Sequence, residues 1–128
     1  MATQLNTNFV GGEADIEPRM LLKVVPGSRR IEFTEATTDL PIAIARNAHD
    51  ASDDPPNALE YDLLEIGKVY ELIASETITA GDNLQPEDNG KAAIQAATGH
   101  FCFRALENAA DDDSVFAAVF LGYNYVVI

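Results

Sequence analysis

Pro26-Gly27-Ser28-Arg29-Arg30-Ile31 and Asp88-Asn89-Gly90-Lys91-Ala92-Ala93-Ile94 are two versions of one pattern. Each sets a glycine turn ahead of a basic residue and follows it with an apolar stretch. Pro-Gly and Asn-Gly are strong turn dipeptides, and Asn-Gly suits the positive φ that tight hairpins demand. The likeness extends outward. A short Ala/Thr segment comes next, at Thr34–Thr38 and Gln95–Thr98. An apolar strand follows, Pro41–Ala45 or Phe101–Leu106, and runs into Asn47-Ala48-His49-Asp50 or Asn108-Ala109-Ala110-Asp111. An acidic loop and a further apolar strand close both copies. This predicts two similar β units of about 60 residues, neither able to bury its apolar face alone. They should pack into one barrel or sandwich around one core.

The rest of the chain supports an all-β fold. Short apolar runs separated by turn signals predict strands at Met20–Val25, Arg30–Phe33, Pro41–Ala45, Leu59–Leu64, Val69–Ile73, Asn83–Gln85, Lys91–Gln95, Phe101–Leu106, Val115–Leu121 and Tyr125–Ile128. Many short strands at such spacing point to a small barrel or sandwich. Leu59, Leu63 and Ile66 fall at helical spacing, and Ala92–Ala97 is alanine-rich, so one or two short helices are the most expected. Residues 1–18 are polar, with Gly11-Gly12 and Pro18, and read as an extended N-terminal arm. Residues 19–128 then form the single folded domain. The apolar run up to Ile128 implies that the last strand is central in a sheet or covered at a subunit interface.

Composition limits the function. The 128 residues carry 21 acidic and 8 basic side chains, a net charge of −13. That charge repels phosphate backbones and anionic bilayers, so neither nucleic acid nor membrane is an expected partner. It favours solubility at high local concentration. Met1–Val10 lacks the features of a signal peptide, and no apolar run is long enough to span a bilayer. Synthesis in a cytosol-like compartment is the expectation. Cys102 is the single cysteine, between Phe101 and Phe103, and reads as a small buried hydrophobe.

No catalytic or metal signature is present. Asp53-Asp54 and Asp111-Asp112-Asp113 lack the glycine and the glutamate of a calcium loop, so they read as solvated loop tips. His49 and His100 have no zinc-ligand spacing. Nucleophile elbows and phosphate loops are missing from the sequence. Arg29-Arg30 and Lys23 form a basic cluster that either grips a partner or pairs internally with Glu32 and Glu35. The sequence therefore predicts a protein that is not an enzyme, without catalytic residues, cofactor or metal.

Three further stretches carry a family resemblance. Ile78-Thr79-Ala80-Gly81-Asp82-Asn83-Leu84, Asn89-Gly90-Lys91-Ala92 and Ala105-Leu106-Glu107-Asn108-Ala109 resemble the capsid cement, or head decoration, proteins of tailed bacteriophages. Pro41-Ile42-Ala43-Ile44-Ala45 resembles the matching strand of the first half, and the likeness covers roughly residues 20–123. The resemblance implies a small β-barrel-like protein, often a trimer, on the outer surface of an icosahedral virion. There it would bridge neighbouring copies of the major capsid protein. It implies no catalytic residues, and it implies capsid contact through the N-terminal arm, by Asn8, Phe9, Val10 and Arg19. The acidic insertion Asp50–Asn57 departs from the family pattern. The alternative is a carbohydrate- or host-surface-binding β-domain, for which tyrosines 61, 70, 123 and 125 are the aromatic candidates.

Overall fold

A computed structural model describes residues 10–11, 15–25, 27, 30–48, 59–95 and 99–126. Among the described residues ten strands are present: β1 (Val10–Gly11), β2 (Leu21–Val24), β3 (Arg30–Phe33), β4 (Ala43–Ala45), β5 (Tyr61–Leu63), β6 (Val69–Ile73), β7 (Asn83–Pro86), β8 (Ala92–Ile94), β9 (Gly99–Ala105) and β10 (Val115–Val126). Among the described residues the only helical element is a 3₁₀ turn at Asp88–Gly90. The helical spacing at Leu59, Leu63 and Ile66 is overridden because β5 pairs with β4 instead. The alanine-rich stretch likewise starts as a strand, β8.

The strands form two five-stranded sheets, ordered β1-β3-β2-β4-β5 and β6-β10-β9-β7-β8. The predicted all-β sandwich of two similar units is therefore what the chain forms, and the units match at the level of register. Leu21 and Leu22 of β2 lie opposite Ile44 and Ala43 of β4, as Asn83 and Leu84 of β7 lie opposite Arg104 and Phe103 of β9. Ala43, Ile44 and Ala45 face Leu63, Asp62 and Tyr61, as Phe103, Arg104 and Ala105 face Phe120, Val119 and Ala118. The loops repeat too. Glu60 N–H donates to Asn47 Oδ1 (2.9 Å), and Ala117 N–H donates to Glu107 Oε1 (2.8 Å).

In place of one shared interior there are two apolar clusters. Leu22, Ile31, Ala43, Ala45 and Tyr61 line the first; Leu72, Leu84, Phe103, Phe116 and Phe120 line the second. The reason is period-2 alternation on two-sided strands. Leu22 and Ala43 point into the first unit, whereas Leu21 and Ile44 point out of it and join the second cluster. Their equivalents in the second unit, Asn83 and Arg104, are polar; Arg104 Nε donates to Asn83 Oδ1 (3.2 Å). The packing is thus one-sided and leaves the matching face of the second unit uncovered. Ties between the units include Tyr123 O–H to the Pro41 carbonyl (2.6 Å) and Thr34 O–H to the Glu87 carbonyl (3.0 Å).

Two sequence boundaries move. Ile16, read as part of the arm, is 1% exposed and belongs to the first cluster, so the folded unit begins before Arg19. Val115–Leu121 and Tyr125–Ile128, read as two strands, are one strand through Val126, with a bulge between Phe120 and Asn124 where Gly122 takes φ +81°. A glycine in a strand marks such a bulge as readily as a turn. β10 lies between β6 and β9, paired along both of its edges.

Candidate contact surface

The seam between the units carries a surface arginine in a left-handed conformation with an open groove on either side. Glu17-Pro18-Arg19-Met20 is a β-turn closed by Met20 N–H donating to the Glu17 carbonyl (3.3 Å). Arg19 holds φ +73°. Its counterpart in the second unit is Thr79-Ala80-Gly81-Asp82, closed by Asp82 N–H to Thr79 (3.0 Å), with Gly81 at φ +97°. Arg19 and Gly81 also donate equivalent backbone bonds, to the Ala45 and Ala105 carbonyls (2.9 and 2.8 Å). Glycine is the natural residue there; an arginine sits in the left-handed region at a cost of about 1 kcal/mol or more. Its Nε reaches Glu71 Oε1 of β6 at 3.2 Å, in a half-exposed pair. An exposed pair of this kind contributes under about 1 kcal/mol, too little to explain the strained backbone by stability alone.

Open grooves flank Arg19 on both sides. One runs between Met20 and the β6–β10 pair Ile73 and Val115; the other runs toward Arg46, Lys68 and Val69. Beyond them lies the outer face of β6 and β10. Val119 is opposite Val69, and Ala117 opposite Glu71. Val69 is 52% exposed, Val115 48% and Leu106 48%. Inward positions of the same strands, Leu72, Phe116 and Ala118, are buried. An apolar row therefore faces outward beside Arg19, where alternation alone would call for polar residues. Arg19, Arg46, Lys68 and Lys91 line the grooves, so this strongly acidic protein is close to neutral here.

The other candidates fall elsewhere. Asn8 and Phe9 lie outside the described residues, as do His49 and the acidic loop Asp50–Asn57. Val10 is placed by its backbone, paired in parallel with Arg30. Lys23 bonds Glu35 (3.0 Å) and Asp39 (3.1 Å), so the internal reading of that basic residue holds with Asp39 in place of Glu32. Asp112 and Asp113 clamp Lys91 Nζ at 2.9 and 2.7 Å. Cys102 is buried, and burial pushes its thiol up to about 12, which keeps it protonated and inert at neutral pH. Tyr61 and Tyr70 are buried; Tyr123 and Tyr125 are exposed. His100 packs against Tyr125 at 4.7 Å between ring centroids. Among the described residues no group of three His, Cys, Asp or Glu side chains is placed to hold a metal, and no helix is long and apolar enough to cross a membrane.

Asp39 is a carboxylate held below its ordinary pKa. Burial opposes its charge, but the N–H groups of Glu35 (2.8 Å) and Ala36 (3.0 Å) and the Lys23 ammonium outweigh that and hold its carboxyl below 3.8. A depressed carboxylate stabilises the fold above its ordinary pKa, and that contribution disappears as pH falls through the lower folded value. Asp39→Ala should therefore cost about 1–2 kcal/mol at neutral pH. Denaturant titrations should show the gap to wild type closing below pH 3.8. A gap that persists in acid would mean Asp39 acts through packing.

A solved structure matches this architecture. It is the head fiber gp8.5 N base in bacteriophage phi29, aligned over 87% of this chain and 89% of that chain with a TM-score of 0.69. The protein has the fold of the phi29 head-fiber base. The two sequences are 20% identical, so what they share is the arrangement of strands. Coverage of both chains extends the likeness to the head-fiber base nearly end to end, across both sheets. No protein-family model and no curated protein matches the sequence.

Proposed function

We propose that this protein is a structural, non-catalytic component of a bacteriophage virion, seated on the outer surface of the capsid. There it bridges neighbouring copies of the major capsid protein and stabilises the shell. The observation that carries this reading is the fold shared with the phi29 head-fiber base. The surface supports it. Arg19 and the apolar row of Val69, Val115 and Val119 offer an interface without an enclosed pocket, as a bridging protein needs. The charge of −13 keeps many copies soluble before assembly. Assembly as a homotrimer fits a lattice whose local axes present several equivalent subunits at once.

The test is co-sedimentation with heads of the encoding phage that lack this protein, with light scattering to count subunits. Saturable binding to the shell is expected. Failure to bind intact heads at any concentration would sink the proposal. Arg19→Gly sharpens it. The backbone strain, about 1 kcal/mol, is relieved, and the lost ion pair offsets only part of that. The variant should unfold at the same or higher denaturant concentration than wild type and yet bind heads at least about tenfold more weakly, a loss of roughly 1.4 kcal/mol. Weaker folding with unchanged binding would make Arg19 a structural residue only.

A second reading, a carbohydrate-binding domain, rests on exposed Tyr123 and on Tyr125 against His100. A glycan-array signal lost in Tyr125→Ala would favour it. The Tyr123 hydroxyl is already committed to Pro41, which leaves one free aromatic face and weakens this alternative.

A further inference from the structure

β6 is an edge strand: its sheet begins with it, and β10 is its neighbour on one side. Two hydrogen bonds fix which of its residues turn toward β10. Phe120 N–H donates to the Lys68 carbonyl (3.0 Å), and Ala74 N–H donates to the Ser114 carbonyl (2.8 Å). In an antiparallel pair, residues that exchange backbone bonds with the partner alternate with residues that do not. Tyr70 and Leu72, opposite Ala118 and Phe116, therefore share the phase of Lys68 and Ala74 and bond β10. Val69, Glu71 and Ile73 turn their N–H and C=O groups away from it. Among the described residues no other backbone group bonds these three.

An open strand edge is a ready template for a strand of another chain. The two grooves beside Arg19 both reach this edge. Val69 and Glu71 line one, and Ile73 lines the other. Charge decides what fits. In the first groove three cations, Arg19, Arg46 and Lys68, stand against two carboxylates, Asp62 and Glu71. That local excess of positive charge belongs to a chain of net charge −13. Arg19 and Arg46 are half-exposed and anchored through Nε, to Glu71 (3.2 Å) and Asp62 (3.8 Å). A guanidinium held at Nε keeps further N–H donors for a second carboxylate. A second copy of β6 is the wrong occupant. Antiparallel pairing about the middle of the strand would set Glu71 against Glu71, and like charges directly opposite are destabilising.

We infer that the outer edge of β6 accepts an extended segment of a shell protein as an added strand, bonded by Val69, Glu71 and Ile73, and that this segment places a carboxylate between Arg19 and Arg46. The inference rests on the capsid role proposed above and supplies its mode of contact. In strand addition the main chain provides affinity and the side chains provide specificity. Val69, half-exposed and opposite Val119, gives the added strand an apolar cross-strand neighbour. Arg19 gives it an ion pair. The left-handed backbone at Arg19 thus carries a cation to an open edge, where Gly81, its counterpart in the second unit, has no side chain to offer.

Residue-resolved hydrogen exchange on the full-length protein tests this, before and after it is loaded onto phage heads that lack it. In the unbound protein the amides of Val69, Glu71 and Ile73 should exchange at least about a hundredfold faster than those of Tyr70 and Leu72. On heads the three fast amides should slow by at least about tenfold. Saturable binding that leaves them fast would overturn strand addition while the capsid role stands. Absence of binding would overturn both. Val69→Pro and Val69→Ala separate strand pairing from mere covering of the face. Both remove the valine side chain, but only proline removes the outward N–H, and it spares the bonds to β10. Val69→Pro should bind heads at least about tenfold more weakly than Val69→Ala, and equal affinities would overturn the inference. The exchange pattern is read on the wild-type protein, so it decides the matter even where Val69→Pro fails to fold. Arg46→Glu tests the charge. It should weaken head binding at least about tenfold, and unchanged affinity would overturn the acidic occupant.

Discussion

Phe103→Ala should lower the unfolding free energy by about 3–5 kcal/mol, enough to leave a domain of this size largely unfolded at 37 °C. The ring is fully buried and sits where three strands meet. On β9 it lies opposite Phe120 of β10 and Leu84 of β7. Its centroid is 5.2 Å from Phe120 in a tilted stack and 6.5 Å from Tyr70 edge-on. Truncation removes one of the three phenylalanines of the second cluster together with both aromatic contacts, and the two rigid neighbours cannot collapse into the space. Equilibrium urea denaturation measures the loss directly. Phe101→Ala, at a half-buried position on the same strand, should cost visibly less. A Phe103→Ala loss below about 1 kcal/mol would mean that the second cluster is not the close-packed core described here.

Gly90→Ala should cost about 3 kcal/mol for a single added methyl group, from two sources that add. Gly90 has φ +68°, where a Cβ is strained. That Cβ would also stand 2.7 Å from Met20 Cβ and 3.0 Å from the Leu21 amide nitrogen. These are backbone and near-backbone atoms of the other unit, so the clash forces the seam apart. Gly90 N–H donates to the Thr34 carbonyl across the same seam (3.0 Å). Gly27 separates the two effects. It has φ +77° in the equivalent hairpin of the first unit, and a methyl group added there would meet nothing within 4 Å. Gly27→Ala should cost only about 1 kcal/mol. Thermal or urea unfolding of the two variants side by side checks the difference. Equal losses would show that the close approach of the units contributes nothing.

Both arguments depend on a duplication that was legible in the sequence through its glycine turns. Pro-Gly and Asn-Gly flank apolar runs at corresponding places, and strands of clean alternation, such as Arg30–Phe33 and Val69–Ile73, keep their bounds. The second pair of matching turns was hidden. Glu17-Pro18-Arg19-Met20 has a proline and an arginine where Thr79-Ala80-Gly81-Asp82 has an alanine and a glycine. Only the shared φ and the shared hydrogen bonds reveal that they are equivalent. The same disguise made Ile16 look like part of a loose arm.

The candidate contact surface was half legible. Arg19 was recognisable as a cation near the end of the arm, but its left-handed backbone was not. Val69, Val115 and Val119 fall in predicted strands, but the sequence does not say which face they take. Their exposure follows from which face of the second unit is covered, and that depends on Leu21 and Ile44, residues far away in the chain. One-sided packing of two similarly paired units is a tertiary fact that local alternation cannot encode. The break read between Val115–Leu121 and Tyr125–Ile128 failed for a related reason: a bulge and a turn use the same residue types.

Cryo-electron microscopy of the native phage head tests the central claim most directly. The account predicts a two-lobed density of about this protein's size on the outside of the shell, touching at least two capsid subunits through the seam that carries Arg19. A mature head whose outer surface lacks that density, while the protein is present in the purified particle, would contradict it.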